Sequence, residues 1–173
     1  MAPIASDPLQ IDRTAFISSD ARIHPSVRGS KIVIGAHTQI YDFVVIRAVG
    51  GSGDIVMGEH CYINPHSVLY SGNGITMGNY VLIAPHVSIV PTNHATSRCD
   101  IEIRKQGFMP SRGGVIIEDD VWIGAHATIL DGAYIERGAV IAAGSVVGGR
   151  VDAYSVWGGA PAVKIKDRVC LSS

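Results

Sequence analysis

Residues 115–150 divide into six consecutive sixes without remainder: VIIEDD, VWIGAH, ATILDG, AYIERG, AVIAAG and SVVGGR. Their third letters are Ile117, Ile123, Ile129, Ile135, Ile141 and Val147. A period of six is neither the roughly 3.6 of a helix nor the plain alternation of a strand. It requires a chain that turns a corner in every repeat. If each six is a short strand plus a corner, three close one triangular turn, and the aliphatic residue of each points into a shared core. Successive turns then pair edge to edge at about 4.8 Å, so residues one turn apart stack into ladders. Such repeats cannot bury an apolar face alone and must stack several deep, which predicts an all-β solenoid.

The same spacing continues upstream as Ile34, Ile40, Ile46, then Met57, Ile63, Leu69, then Met77, Ile83, Ile89. The regular coils therefore start at 34, 57, 77, 117 and 135, and consecutive starts stand 23, 20, 40 and 18 residues apart. Any excess over eighteen is an insertion. The pattern places insertions near 48–54, near 71–74 and across most of residues 90–114. A structureless loop above about 15 residues is uncommon in a compact domain unless it is functional, so the third is where chemistry is expected. Upstream, Ile17 and Ile23 suggest an irregular first coil with Gly29 in its next inward slot, and residues 1–14, with Pro3 and Pro8, read as an arm. After Arg150 the period degrades through VDAYSVWGGAPA, and VKIKDRV predicts a short C-terminal helix capping the solenoid's open edge. One domain, 1–173, is expected: arm 1–14, coils about 15–151, loop about 90–114 and cap about 152–173.

Composition narrows the function. A formal net charge of -1 without a basic run lacks the electrostatic footprint of a nucleic-acid binder. Cys61, Cys99 and Cys170 are odd in number and form no CxxC, against a disulfide framework or a structural zinc site. The opening MAPIASDPLQ lacks a charged region followed by an apolar core, and no long apolar run occurs, so a cytoplasmic protein without membrane insertion is expected.

The segments IIEDDVWIGAHATIL, AVIAAGSVV and WGGAPAVKI resemble the hexapeptide-repeat acyltransferases, and the resemblance covers most of the chain from about Ile34. It implies their left-handed parallel β-helix. That hand comes from the resemblance alone, since parallel crossovers are otherwise right-handed in about 98% of cases. It further implies an acetyl-CoA-dependent O- or N-acetyltransferase acting on a sugar or sugar nucleotide, of the galactoside, maltose or polysaccharide type. Acetyl-CoA would be the co-substrate, no metal is expected, and the assembly would be a homotrimer with its active site between neighbouring prisms.

On this resemblance His94, in the IVPTNHATSR stretch of the long loop, is the general base, since acyl transfer to a hydroxyl or amine needs a near-neutral base within hydrogen-bond reach. The plain alternative is a solvated loop histidine. Trp122 would orient it, or merely shield a sheet face. Asn64, His66 and Tyr70 would line the acceptor groove, although the family's acceptor-binding Asn falls where His66 stands. Phe108 and Met109 would cover the pocket and exclude water. Ala125, Ala143, Gly148, Gly149 and Arg150 would hold coenzyme A, with Lys164, Lys166 or Arg150 on its phosphates. Backbone amides of the Gly144–Gly149 corner would bind the oxyanion. The family commonly has Thr-Lys where Gly148 and Gly149 stand, and a Lys or Arg where Val163 stands.

Register also predicts that His66, His86 and His126, each nine residues past the start of its coil, form one ladder. Side chains at one repeat position point the same way and do not converge on a tetrahedral metal within one chain. Two other readings of the chain stay open. A γ-type carbonic anhydrase fits VVIRAVGGSGD poorly, because Val49 stands where an acid is expected and His86 and His94 are eight apart, so HxxxxH is missing. A non-catalytic β-helix scaffold would leave the long loop and the GGAPAVKI tail without a purpose.

Overall fold

The structure is a computed structural model and describes residues 7–169; the ends of the expected arm and cap, with Cys170, lie outside them. Aliphatic and largely β-branched residues at every sixth position favour extended backbone, and each short strand pairs with the strands one turn before and after it. Three sheets result. The first stacks Leu9–Ile11, Ile32–Ile34, Ile55–Met57, Ile75–Met77, Val115–Ile117, Tyr134–Ile135 and Arg150–Val151. The second stacks Phe16–Ile17, Gln39–Ile40, Tyr62–Ile63, Leu82–Ile83, Trp122–Ile123, Val140–Ile141 and Ser155–Gly159, with Ala162–Asp167 added antiparallel at the end. The third stacks Arg22–His24, Val45–Arg47, Val68–Tyr70, Ser88–Val90, Thr128–Leu130 and Val146–Val147.

Registers match the six-residue reading: Met57, Met77 and Ile117 align in the first sheet, Ile63, Ile83 and Ile123 in the second, and Leu69, Ile89 and Ile129 in the third. These columns fill the prism and are 0–2% exposed.

Two of the three corners are tight, and their third residue takes a left-handed backbone. At the first-to-second corner these are His37, His60, Tyr80, Asp120 and Tyr154; at the second-to-third corner they are Phe43, His66, His86 and His126. Non-glycine residues are uncommon there, and histidine is among the types that tolerate it. The strain is offset by stacking between coils. His66, His86 and His126 form the expected ladder with centroids 4.8 and 4.7 Å apart, continued by Phe43 at 5.0 Å. A second ladder, His37 to His60 to Tyr80, runs along the other tight corner at 4.8 and 5.1 Å. It was not foreseen from the repeat.

The third corner absorbs every insertion: residues 25–31, 48–54, 71–74 and 91–114 all connect a strand of the third sheet to the next strand of the first. Their backbones crowd one another. A Cβ on Gly53 would lie 2.0 Å from the Gly74 amide nitrogen.

Three expectations are corrected. VKIKDRV is not a helix: Ala162–Asp167 is a strand paired antiparallel with Ser155–Gly159, because the turn through Gly159 and Pro161 folds an alternating Val-Lys-Ile-Lys segment back onto the sheet's open edge. The arm 1–14 is not wholly outside the solenoid, since Leu9–Ile11 pairs with Ile32–Ile34. The first coil is therefore Ile11, Ile17 and Ile23, and Gly29 belongs to an insertion rather than to an inward slot.

Truncating one inward residue removes its contacts in three coils at once. Ile123→Ala, at a fully buried position, is expected to cost about 3 kcal/mol in urea unfolding; a change below about 1 kcal/mol would contradict this packing.

Candidate active site

The corner that takes the insertions gathers most of the chemistry. At residues 93–95 and 107–109 the long loop closes into a narrow antiparallel pair: Ala95 N donates to Gly107 O at 3.0 Å and Met109 N to Asn93 O at 2.8 Å. This pairing sets His94 opposite Phe108, their rings 4.8 Å apart at the centroids. Between the pair and the prism lies a cavity of about 340 Å³ lined by Val49, Gly50, Tyr70, Val90, Thr92, His94 and Phe108. Its walls are mostly apolar, and His94 is their one titratable nitrogen base.

The loop's far end is fastened by Asp131, which is 2% exposed. Its two oxygens accept from Arg112 N at 2.7 Å and Gly114 N at 2.9 Å. Arg112 also donates from its guanidinium to the Gly148 carbonyl at 3.0 Å, joining the loop to the C-terminal coils. Sequence reasoning missed Val49, Gly50, Thr92, Arg112 and Asp131. Asp131 carries a signal: it occupies the corner slot that holds Ser71 and Pro91 in earlier coils, and it is the one buried acid among the described residues.

The expected site residues divide among four places. Tyr70 joins His94 in the cavity, and Met109, half exposed, lies one residue beyond Phe108. Gly148, Gly149 and Arg150 line a second cavity, of about 260 Å³, farther down the same edge, with Trp157, Pro161 and Ala162 of the terminal hairpin. Asn64, His66, Ala125 and Ala143 instead stand at the second-to-third corner. Trp122, 49% exposed, projects from the second sheet between Leu82 and Val140. A single protomer does not bring these last residues to His94.

Several expected binding groups are already engaged. Asn64 donates from Nδ2 to the Ile83 carbonyl at 2.7 Å, tying one coil to the next. Gly144 N donates to Ala125 O at 2.8 Å, so this amide is not directed at an oxyanion. Arg150 pairs with Glu136 and sits over the Tyr134 ring, 5.3 Å from its centroid. Tyr134 in turn donates to Glu118 at 2.5 Å, which, with the Arg137 amide, holds that carboxyl below the usual range. Lys164 pairs with Asp167 at 2.7 Å and Asp152 at 3.2 Å, and these partners raise its pKa. Lys166 has no ion pair among the described residues. A phosphate at this end would have to compete with acids for Arg150 and Lys164.

Among the described residues no His, Cys, Asp or Glu group is clustered to hold a metal ion, and no helix is long and apolar enough to cross a membrane. The stacked imidazoles lie nearly parallel, with interplanar angles of 8° and 5°.

Residues 114–149 match the family described as bacterial transferase hexapeptide, six repeats. The chain is 31% identical over 153 residues to a probable acetyltransferase of Mycobacterium tuberculosis, covering 88% of this chain and 50% of that protein. It is 34% identical over 114 residues to the galactoside O-acetyltransferase of Escherichia coli K12, covering 66% and 54%. It superposes with a TM-score of 0.77 at 27% identity, covering 94% and 84%, on a mutant of AntD, an N-acyltransferase of Bacillus cereus. That structure is a complex with dTDP-4-amino-4,6-dideoxyglucose and coenzyme A. The coils and the likeness to AntD show the left-handed parallel β-helix, and residues 114–149 carry the repeat of the hexapeptide transferases. The chain spans about half the length of the first curated relatives it matches.

Asp131→Ala removes two charge-assisted hydrogen bonds, each worth about 1.5–3 kcal/mol. Tryptic cleavage at Arg98, Arg104 and Lys105 should then accelerate by about tenfold or more. Unchanged cleavage would show that the loop is fastened elsewhere.

Proposed function

We propose that the protein transfers an acetyl group from acetyl-CoA to a hydroxyl or amine of a sugar or sugar nucleotide, with His94 as general base. The observation that carries this reading is the cavity in which the long loop sets His94 against Tyr70, Thr92 and Phe108 beside the prism. His94 is itself exposed on the wall of this mostly apolar recess, so its ring can reach a hydroxyl or amine brought there, as a general base must. Likeness to an N-acyltransferase bound to a sugar nucleotide and coenzyme A, and to a galactoside O-acetyltransferase, supports the reaction class.

His94 accepts the proton of the acceptor as its oxygen or nitrogen bonds to the thioester carbonyl carbon. When the tetrahedral adduct collapses and the carbon–sulfur bond breaks, His94 returns that proton to the departing thiolate. No net proton is lost, and the histidine ends as it began.

Trp122, His66, Ala125 and Ala143 lie away from His94 in one chain, so their part in the reaction requires a neighbour. A closed three-fold ring of prisms supplies it: the insertion corner of one copy meets the Trp122-bearing face and the histidine-laddered corner of the next. Coenzyme A then lies in that groove, its phosphate end towards Gly148, Gly149, Arg150 and Lys166. Tyr62, Leu82 and Trp122 form an exposed apolar column on the second sheet, with Phe16 in the same row beyond Gln39, as an inter-subunit face would.

Thiol release from acetyl-CoA, followed across a panel of sugars and amino-sugar nucleotides, tests the reading. Release should require an acceptor and fall by about 10²-fold or more in His94→Ala, with coenzyme A binding retained. Full activity in the variant would remove His94 from its role. Failure of the wild type to bind coenzyme A would remove the acyltransferase reading itself.

A further inference from the structure

One rung above Tyr70 in the third sheet stands Arg47, and one rung above Arg47 stands His24. Adjacent rungs are about 4.8 Å apart. These residues begin a separate recess of about 240 Å³, completed by Pro25, Arg28 and Val49 of the first two insertions. Val49 also lines the His94 cavity, so the two recesses adjoin at this residue. No acid lines the upper one, and neither Arg28 nor Arg47 has an ion-pair partner among the described residues. The insertion carrying Arg28 is shaped locally: Ser26 Oγ accepts from the Arg28 amide at 2.9 Å, and Gly29 takes a positive φ of 96°.

Two unpaired guanidiniums and an imidazole around one recess make a site for a multiply charged anion, since arginine presents several donors that match phosphate oxygens. Its place selects the anion. The recess begins about one sugar ring's width from the Tyr70 rung, on the side of His94 opposite to Gly148–Arg150.

Resting on the transferase reading above, we propose that the acceptor is a phosphorylated sugar, a nucleoside diphosphate sugar in particular. Its diphosphate is held by Arg28, Arg47 and His24 while its sugar lies against Tyr70 and His94. Donor and acceptor phosphates thus occupy opposite ends of one edge, and their reacting groups meet at the long loop. A neutral sugar would leave the upper recess unused.

Coenzyme A also carries a diphosphate, so the test must separate the two sources. Titration calorimetry on wild type, Arg47→Gln, Arg28→Gln and the double variant would use dTDP, UDP, inorganic pyrophosphate and, separately, coenzyme A. Arg28 and Arg47 are exposed, so the variants should keep the wild-type melting curve; Arg47→Lys should recover part of any loss. The expected result is diphosphate affinity that weakens with salt and falls by about tenfold or more in each single variant, with coenzyme A affinity unchanged. Diphosphate affinity equal in all proteins, or absent from wild type, would overturn the proposal. So would a variant that loses coenzyme A instead, which would assign the recess to the donor. Because coenzyme A binding is read on the same samples, a protein that binds it but no other diphosphate refutes only this acceptor. A protein that binds neither refutes the transferase as well.

Discussion

Each coil obtains its hydrogen bonds and its core from the coils one turn away, and everything else in the molecule depends on that stacking. A strand of two or three residues has no stability alone. Here its amides pair with carbonyls of the next turn, and its single inward aliphatic residue closes against two others and against the same position above and below. Because the lattice is fixed in all three directions, a side chain's height along the prism follows from its coil number and its face from its position in the six. Function can then be placed by position. What remains to be decided is which corner stays tight and which opens.

The corners divide this labour. Two are closed by left-handed residues whose histidine, tyrosine and phenylalanine rings stack from coil to coil, which makes them rigid and uniform. The third admits four insertions, and these pile onto one another closely enough that glycine is required at Gly53. The result is one edge of variable chain against a rigid prism. His94, Tyr70, the glycines at 148 and 149, and the arginines at 28 and 47 all lie along it. The proposed chemistry follows from that arrangement: an apolar middle carries the base, the arginine-bearing recess lies towards one end and the Gly148–Arg150 corner towards the other.

The sequence made the prism legible because the inward residues recur at an unbroken spacing, and the gaps between coils located three of the four insertions. It misplaced the first coil because Ile11, Ile17 and Ile23 share the six-residue spacing with Gly29, and spacing alone does not say where a coil begins. It misread Val163–Asp167 because an alternation so short resembles a fragment of amphipathic helix; the deciding influence is the open edge of Ser155–Gly159, a tertiary feature. His94 and Tyr70 were reached through resemblance, and the histidine ladder through register. Val49, Asp131 and the recess at Arg47 were not, since they depend on how the insertions fold over one another. Arg150 and Lys164 were expected to be free for phosphate, but Glu136, Asp152 and Asp167, which hold them, come from neighbouring coils and the terminal hairpin.

The most direct test of this arrangement is a crystal structure of the assembled protein with coenzyme A bound. The account predicts the thiol sulfur within roughly 3–4 Å of a His94 ring nitrogen, with Trp122 of a neighbouring copy facing the same groove and the phosphates towards Gly148–Arg150. Coenzyme A bound along the first sheet, or with its thiol remote from His94, would contradict the claim that the insertion edge is the site of acyl transfer.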